Sequence, residues 1–153
     1  MDVNGEFHIP APRQEVWQAL TDPEVLKQSI PGCESFEKVS DTEFSAKMRS
    51  RVGPVNAKFA TKITLANLDP PKSYTLIGEG QGGVAGFAKG SADVALEEEG
   101  GATVLRYAAR FHAGGKLAQI GSRLLGGTAR KMADSFFSRF VSLIDSTTHG
   151  NPT

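Results

Sequence analysis

The sequence predicts an α+β domain: a curved antiparallel sheet of about seven strands, two short helices after the first strand, and one long C-terminal helix packed on the sheet. Three observations predict it. From Cys33 to Ala113 the chain alternates apolar and polar residues between short turn signals, so consecutive strands are antiparallel neighbours. One earlier alternating run, Val3 to Ile9, is followed by two short apolar stripes at helical spacing. Gly114 to Ile144 is the only long segment with helical periodicity, and it carries the aromatic cluster Phe136 to Phe140.

Taken in order, Val3, Gly5, Phe7 and Ile9 alternate with Asn4, Glu6 and His8, which gives a half-buried strand ended by Pro10. Pro12 suits the first turn of a helix whose inner stripe is Val16, Trp17 and Leu20. Asp22 followed by Pro23 makes a cap and first-turn pair for a second helix, about Pro23 to Ser29, which Pro31-Gly32 stops. The strands that follow are separated by Ser40-Asp41-Thr42, Gly53-Pro54, Asp69-Pro70-Pro71, Gly82-Gly83 and Gly100-Gly101. Alternation is clean where Phe44, Ala46 and Met48 oppose Lys47, Arg49 and Arg51, where Ala57 to Leu65 oppose Lys58 and Lys62, and where Leu105, Tyr107, Ala109 and Phe111 oppose Arg106, Arg110 and His112. One face of the sheet is therefore apolar and the other wet.

Two strands differ. Their inner faces read Tyr74, Leu76, Gly78, Gly80 and Ala88, Gly90, Ala92, Val94, Leu96, a row rich in small side chains. Such a row either leaves an apolar cavity or lets a strongly curved sheet bring the helix closer. In the last helix, at about 100° per residue, Leu117, Ile120 and Leu124 form one stripe, and Met132, Ala133, Phe136, Phe140 and Leu143 a second, rotated one. Gly126 and Gly127 sit where the stripe changes phase, which predicts a kink that hinges the helix or a close backbone approach to the sheet.

Composition narrows the function. A chain of 153 residues is long enough for one core, so one domain over 1–146 with a short tail at 147–153 is expected. Seventeen basic residues balance seventeen acidic ones, against a nucleic-acid partner. The single Cys33 excludes an internal disulfide. No secretory pattern and no apolar run of about 18 residues occurs, so the chain reads as cytoplasmic with at most peripheral membrane contact, at the inner face of the cell membrane.

The order of elements resembles the helix-grip fold of START and Bet v 1-like proteins, the SRPBCC superfamily. Within it the chain resembles the CoxG family, named for the G component of carbon monoxide dehydrogenase. The residues that carry this are DPEVLKQSIPGCE from Asp22 to Glu34, GPVNAKF from Gly53 to Phe59, LDPPKSY from Leu68 to Tyr74, GEGQGGVAGFAKG from Gly78 to Gly90, GGKLAQIGSRLL from Gly114 to Leu125, and FFSRF from Phe136 to Phe140. The resemblance implies a non-enzymatic accessory protein with no covalent cofactor. It implies a hydrophobic cavity that holds a quinone or another lipid-like molecule, and association with molybdenum hydroxylases of the carbon monoxide dehydrogenase type and their attachment to the membrane. Many relatives reach the membrane with a longer C-terminal extension; this chain ends at Thr153.

No residue set suggests catalysis. His8, His112 and His149 are scattered, with His8 and His112 on the wet face, and no metal-ligand spacing occurs. Cys33 reads as a small apolar group and Glu97-Glu98-Glu99 as a solvated hairpin tip. The glycines at 82, 83 and 86 lack the Gly-Lys-Ser/Thr and helix of a phosphate loop; they suit either a tight turn or a mobile loop at a cavity mouth with Val84 and Phe87 as its lid. The ligand-binding candidates are Phe44, Met48, Phe59, Leu76, Phe87, Tyr107, Leu124, Met132 and Phe136, with the Tyr107 hydroxyl able to meet a carbonyl. Lys116, Arg123, Arg130, Lys131 and Arg139 against Asp134 give the last helix a positive excess, as Lys47, Arg49, Arg51, Lys58 and Lys62 do for the outer sheet face. That pattern is either a solvated face or a surface for an acidic partner or anionic membrane. An enzyme of the same fold, such as a polyketide cyclase, hydratase or aromatase, would need convergent polar groups in the cavity; a pure protein-interaction component would have a filled core.

Overall fold

Alternating sequence and short turns leave each strand only its chain neighbour to pair with, and the protein realises this almost throughout. The computed structural model describes residues 1–149. Its elements are β1 (Asp2–Ile9), α1 (Arg13–Leu20), α2 (Pro23–Ser29), β2 (Cys33–Lys38), β3 (Glu43–Val52), β4 (Val55–Asp69), β5 (Ser73–Gln81), β6 (Phe87–Glu99), β7 (Ala102–Gly114) and α3 (Ser122–His149). Tight 3-10 turns occupy Gly83–Ala85 and Gly115–Ile120. The seven strands form one antiparallel sheet in the order β1-β7-β6-β5-β4-β3-β2. The β2 to β7 meander is local; β1 is added beside the last strand, a pairing α1 and α2 make possible by carrying the chain across the sheet.

Pro12 caps α1 from outside and does not occupy its first turn as expected, and α1 buries Val16, Trp17 and Leu20. Asp22 caps α2, its carboxylate accepting the Glu24 amide at 2.9 Å. The buried Thr103 hydroxyl donates to the Ala11 carbonyl at 2.7 Å and fixes the β1–α1 corner on β7. Ile9, Val16, Phe44, Leu105 and Phe140 are at most 1% exposed and belong to the packed core.

The C-terminal segment departs from expectation in a specific way. It is two elements and not one helix. Leu117 and Ile120 belong to the 3-10 turn, which Gly121 ends at φ +98°, and α3 begins at Ser122. The two apolar stripes thus differ in phase because they lie on different elements. Gly126 and Gly127 are inside α3; a Cβ at Gly127 would meet nothing within 4 Å, and one at Gly126 only the Met1 Sδ at 4.0 Å, so neither close approach to the sheet nor a break explains them. The helix also continues through His149, so the boundary expected at residue 146 falls inside it. The tail from 150 and the His149 side chain lie outside the described residues.

The small-residue row serves both of its possible purposes. At Gly90 a Cβ would collide with the Arg110 carbonyl oxygen, so glycine there permits the close β6–β7 approach of a curved sheet. At Gly78 a Cβ would meet only Leu76 Cδ2 at 4.0 Å, because the space in front of it is empty.

Candidate functional site

The inward faces of β3 to β7 and one stripe of α3 do not meet. Between them lie two adjoining apolar lobes of about 360 and 350 Å³, within the range of small-molecule sites. Met48, Leu76, Ala92, Ala109, Phe111 and Met132 border both lobes, so they form one elongated chamber. Leu76, Ala92, Ala109 and Phe111 point inward yet keep intermediate exposure, the mark of side chains that face unfilled space.

The inner lobe lies under α1 and α2. Leu20, Leu26 and Ile30 wall it from the helices, Phe36, Phe44, Ile63 and Leu65 from the sheet, and Phe136 and Phe137 from α3. Two phenols, Tyr74 and Tyr107, also line it. Burial raises the Tyr74 hydroxyl far above the usual tyrosine range. Tyr107 is raised as well, by burial first and by Asp134 second, with Arg130 opposing. Both therefore stay protonated near neutrality.

The outer lobe lies at the opposite end. Val52, Phe59, Ala88, Ala113 and Leu125 wall it, and Leu117, 3% exposed, closes it from the Gly115–Ile120 turn. Its polar contributors are the hydroxyls of Ser50, Thr61 and Thr128, the last already donating to the Leu124 carbonyl at 3.0 Å. Glu79, Lys89, Ser91 and Arg110 touch its edge where glycines bare the backbone, but they alternate outward, and the three charged ones are exposed.

Of the expected ligand-binding residues, Phe44, Met48, Phe59, Leu76, Tyr107, Met132 and Phe136 line the chamber. Leu124 does not: α3 starts after Gly121, which turns Leu125 inward and leaves Leu124 47% exposed. Phe87 does not either. It shares strand parity with Lys89, so its ring lies on the outer face, edge-on to His112 at 6.2 Å and near Lys89 Nζ at 6.0 Å. Val84 is 87% exposed at the tip of its turn, so the lid is the Gly115–Ile120 turn and not the Val84–Phe87 loop. Sequence reasoning passed over Ala109, Ala129, Phe137 and Tyr74 as site residues. Strand alternation already placed Tyr74 and Ala109 inward; Phe137 stands off the main stripe and was marked only by its place in the Phe136 to Phe140 aromatic cluster.

The remaining chemistry-bearing groups are dispersed. Cys33 is half-buried, its thiol pushed up by burial and donating to the Ser35 carbonyl at 3.3 Å. His8 and His112 are on the outer face. Among the described residues no three His, Cys, Asp or Glu side chains cluster as metal ligands. The Glu97 and Glu98 tip is partly engaged, Glu97 with Arg106 at 2.7 Å and Glu98 with Arg13 at 3.8 Å. The outer-face cations are also partly matched: Glu34 takes Lys58 at 3.0 Å and Arg49 at 3.7 Å, and Glu43 takes Lys62 at 3.0 Å. Lys58 and Arg49 hold the Glu34 carboxyl below its usual range.

A curved antiparallel sheet wrapped on one long helix, with an apolar chamber between, defines a helix-grip protein of the START and Bet v 1-like class. The sequence profile of the CoxG family, the G component of carbon monoxide dehydrogenase, matches residues 5–144, and the chain belongs to that family. A conserved protein from Geobacillus kaustophilus has the same structure at TM-score 0.90 and 30% identity, over 96% of this chain and 97% of its own. Ara h 8.0201 matches at 0.68 and 15% identity, over 95% and 98% of the two chains. A Chromobacterium violaceum protein matches at 0.71 and 12%, over 94% and 96%. At such identities these last two show the fold alone. No curated protein sequence matches significantly. Family and fold together support a ligand-binding accessory role in general terms.

Proposed function

We propose that this protein is a non-enzymatic carrier of a hydrophobic, quinone- or lipid-like molecule, serving a molybdenum hydroxylase of the carbon monoxide dehydrogenase type near the membrane. The observation that carries the reading is the elongated chamber, walled by aliphatic and aromatic side chains. Burying an apolar ligand there gains roughly 25 cal/mol per Å² removed from water. Acid–base or nucleophilic catalysis needs a titratable group within hydrogen-bond reach of the reacting atom. Glu79, Lys89 and Arg110 touch the outer lobe only at its edge with outward side chains, and the inward polar groups are hydroxyls, which favours carriage over an enzyme of the cyclase or hydratase kind. The family to which the chain belongs supports the hydroxylase as the partner.

The lid end supports the membrane part of this reading. The meander sends its hairpin tips alternately to two ends. Asp41, Asp69, Glu97, Glu98 and Glu99 lie at or beside the tips of one end. The segments meeting at the lid end, 51–58, 80–90 and 110–125, contain Arg51, Lys58, Lys89, Arg110, Lys116 and Arg123; Glu34 pairs with Lys58, and Glu79 and Asp2 stand opposite Lys89 and Arg110, which leaves Arg51, Lys116 and Arg123 as the positive excess. Exposed Val84 and Leu124 stand among these cations. An anionic lipid surface matches cations and aliphatic tips together. Among the described residues no helix is long and apolar enough to cross a membrane, so contact through this end is peripheral.

Two measurements test the proposal. Native mass spectrometry after gentle extraction should find a co-purified quinone or lipid. Trp17, which packs edge-on to Tyr74 at 5.5 Å, should be quenched on titration with a short-chain quinone. A protein that carries nothing and shows no saturable quenching would defeat the carrier reading. Flotation with phosphatidylglycerol vesicles should weaken with salt and with K116Q/R123Q; equal flotation at low and high salt would remove the membrane part.

A further inference from the structure

The inner lobe holds two hydrogen-bond donors that the protein itself does not use. Tyr74 on β5 pairs with Val94, Val94 pairs with Tyr107 on β7, and Tyr107 pairs with Gly5 on β1. The two tyrosines therefore stand in one cross-strand row on the inner face, two strands and about 10 Å apart at the backbone. Each ring is fixed by aromatic neighbours. Trp17 meets Tyr74 at an interplanar angle of 89°. Phe7 and Phe137 stack with Tyr107 at centroid distances of 6.0 and 6.2 Å. Gly5 leaves the room that Tyr107 occupies: a Cβ there would lie 2.9 Å from the phenolic oxygen.

No side-chain hydrogen bond of either hydroxyl occurs among the described residues, and the Tyr74 oxygen is not among the fully buried unpaired atoms, so it meets the space of the lobe that both tyrosines line. The side chains around Tyr74 in the lobe, such as Leu20, Leu76, Val94, Met132 and Phe136, offer no oxygen or nitrogen acceptor, while Tyr107 has the Asp134 carboxylate and Arg130 in its neighbourhood on α3. A hydroxyl that meets open apolar space without a protein acceptor is free to donate to an acceptor that enters that space. Burial also keeps the Tyr74 hydroxyl protonated, so it can only gain by meeting an acceptor.

We infer that Tyr74 and Tyr107 form a donor pair that receives the oxygen-bearing end of the ligand in the inner lobe, while its apolar remainder extends through the shared waist into the outer lobe toward the lid. The inference rests on the carrier reading and adds the orientation and chemical class of the cargo. The ligand is an apolar molecule with a carbonyl or ether oxygen at one end. A plain hydrocarbon leaves both donors unmatched, and a cationic amine brings a further donor to them.

Duroquinone and durene share a carbon skeleton and differ by the carbonyl oxygens, and full ring substitution keeps the quinone from adding to Cys33. For the wild type, duroquinone should bind more tightly than durene. Tyr74→Phe should weaken duroquinone binding about three- to tenfold, leave durene unchanged or slightly tighter, and leave the melting temperature of the empty protein equal or higher. Tyr107→Phe should act in the same sense. Unchanged duroquinone affinity in both variants, parallel loss of both probes, or a lower melting temperature for empty Tyr74→Phe would each overturn the donor pair. If the wild type binds both probes and the variants behave alike, only this inference falls; if it binds neither, the carrier reading falls with it.

Discussion

Replacing Ala92 by Phe is the most direct physical test of the chamber. Ala92 borders both lobes, with Leu76 and the small Ala109 as its cross-strand partners on β5 and β7. A cavity of about 150 Å³ accepts a benzene ring, so a phenyl group at the waist takes a large share of lobes of about 360 and 350 Å³. Burying the ring is worth at most about 1.5–3 kcal/mol, less roughly 1 kcal/mol for lost side-chain freedom. The expected result is a gain of about 0.5–2 kcal/mol, or a melting temperature higher by about 1–8 °C for a chain of this size. Probe binding should fall at least tenfold, because ring and ligand compete for the same space. In a filled core the same substitution costs about 1–3 kcal/mol. Thermal melts by near-ultraviolet dichroism, paired with quenching of Trp17 by a quinone probe, separate these cases by sign. A melting temperature lowered by several degrees with unaltered probe affinity would refute the argument for unfilled space at Ala92.

Gly127→Ala, inside α3 with nothing near the new methyl, should stabilise the protein by about 0.5–1 kcal/mol. Gly121→Ala should destabilise it by about 1–2 kcal/mol, because φ is +98° where the lid turn meets α3. Denaturant titration of the two variants checks that opposite pair of signs. The raised Tyr74 and Tyr107 pKa values give an alkaline limit: the unfolded chain releases these protons first, so their stability contribution is intact below about pH 10 and is lost as pH rises beyond it. Tyr74→Phe should flatten that decline, which a stability profile against pH would show.

Much of the architecture was legible because it is written in local periodicities. Alternation with turn residues at Gly53-Pro54 and Gly100-Gly101 sets a meander, and the Asp22-Pro23 pair sets where α2 begins. Parity alone placed Met48, Phe59, Leu76 and Tyr107 on the inner face, since a strand has only two sides. Parity also put Phe87 outside, and the lid expectation set that aside in favour of loop proximity.

The sequence by itself determined the two-sided sheet, the helices that cap it and the apolar character of whatever lies between, because side-chain direction in regular elements follows from spacing along the chain. Only the tertiary structure decided that the space is a chamber. Whether Gly78 faces emptiness and Gly90 a carbonyl oxygen depends on how far apart curved strands and α3 come to rest, a distance between elements that no local pattern encodes. The same holds for Leu124 and Leu125. A positive φ at Gly121 shifts the start of α3, and one residue of helical phase, about 100°, exchanges the wall of the chamber for the solvent-facing lid end.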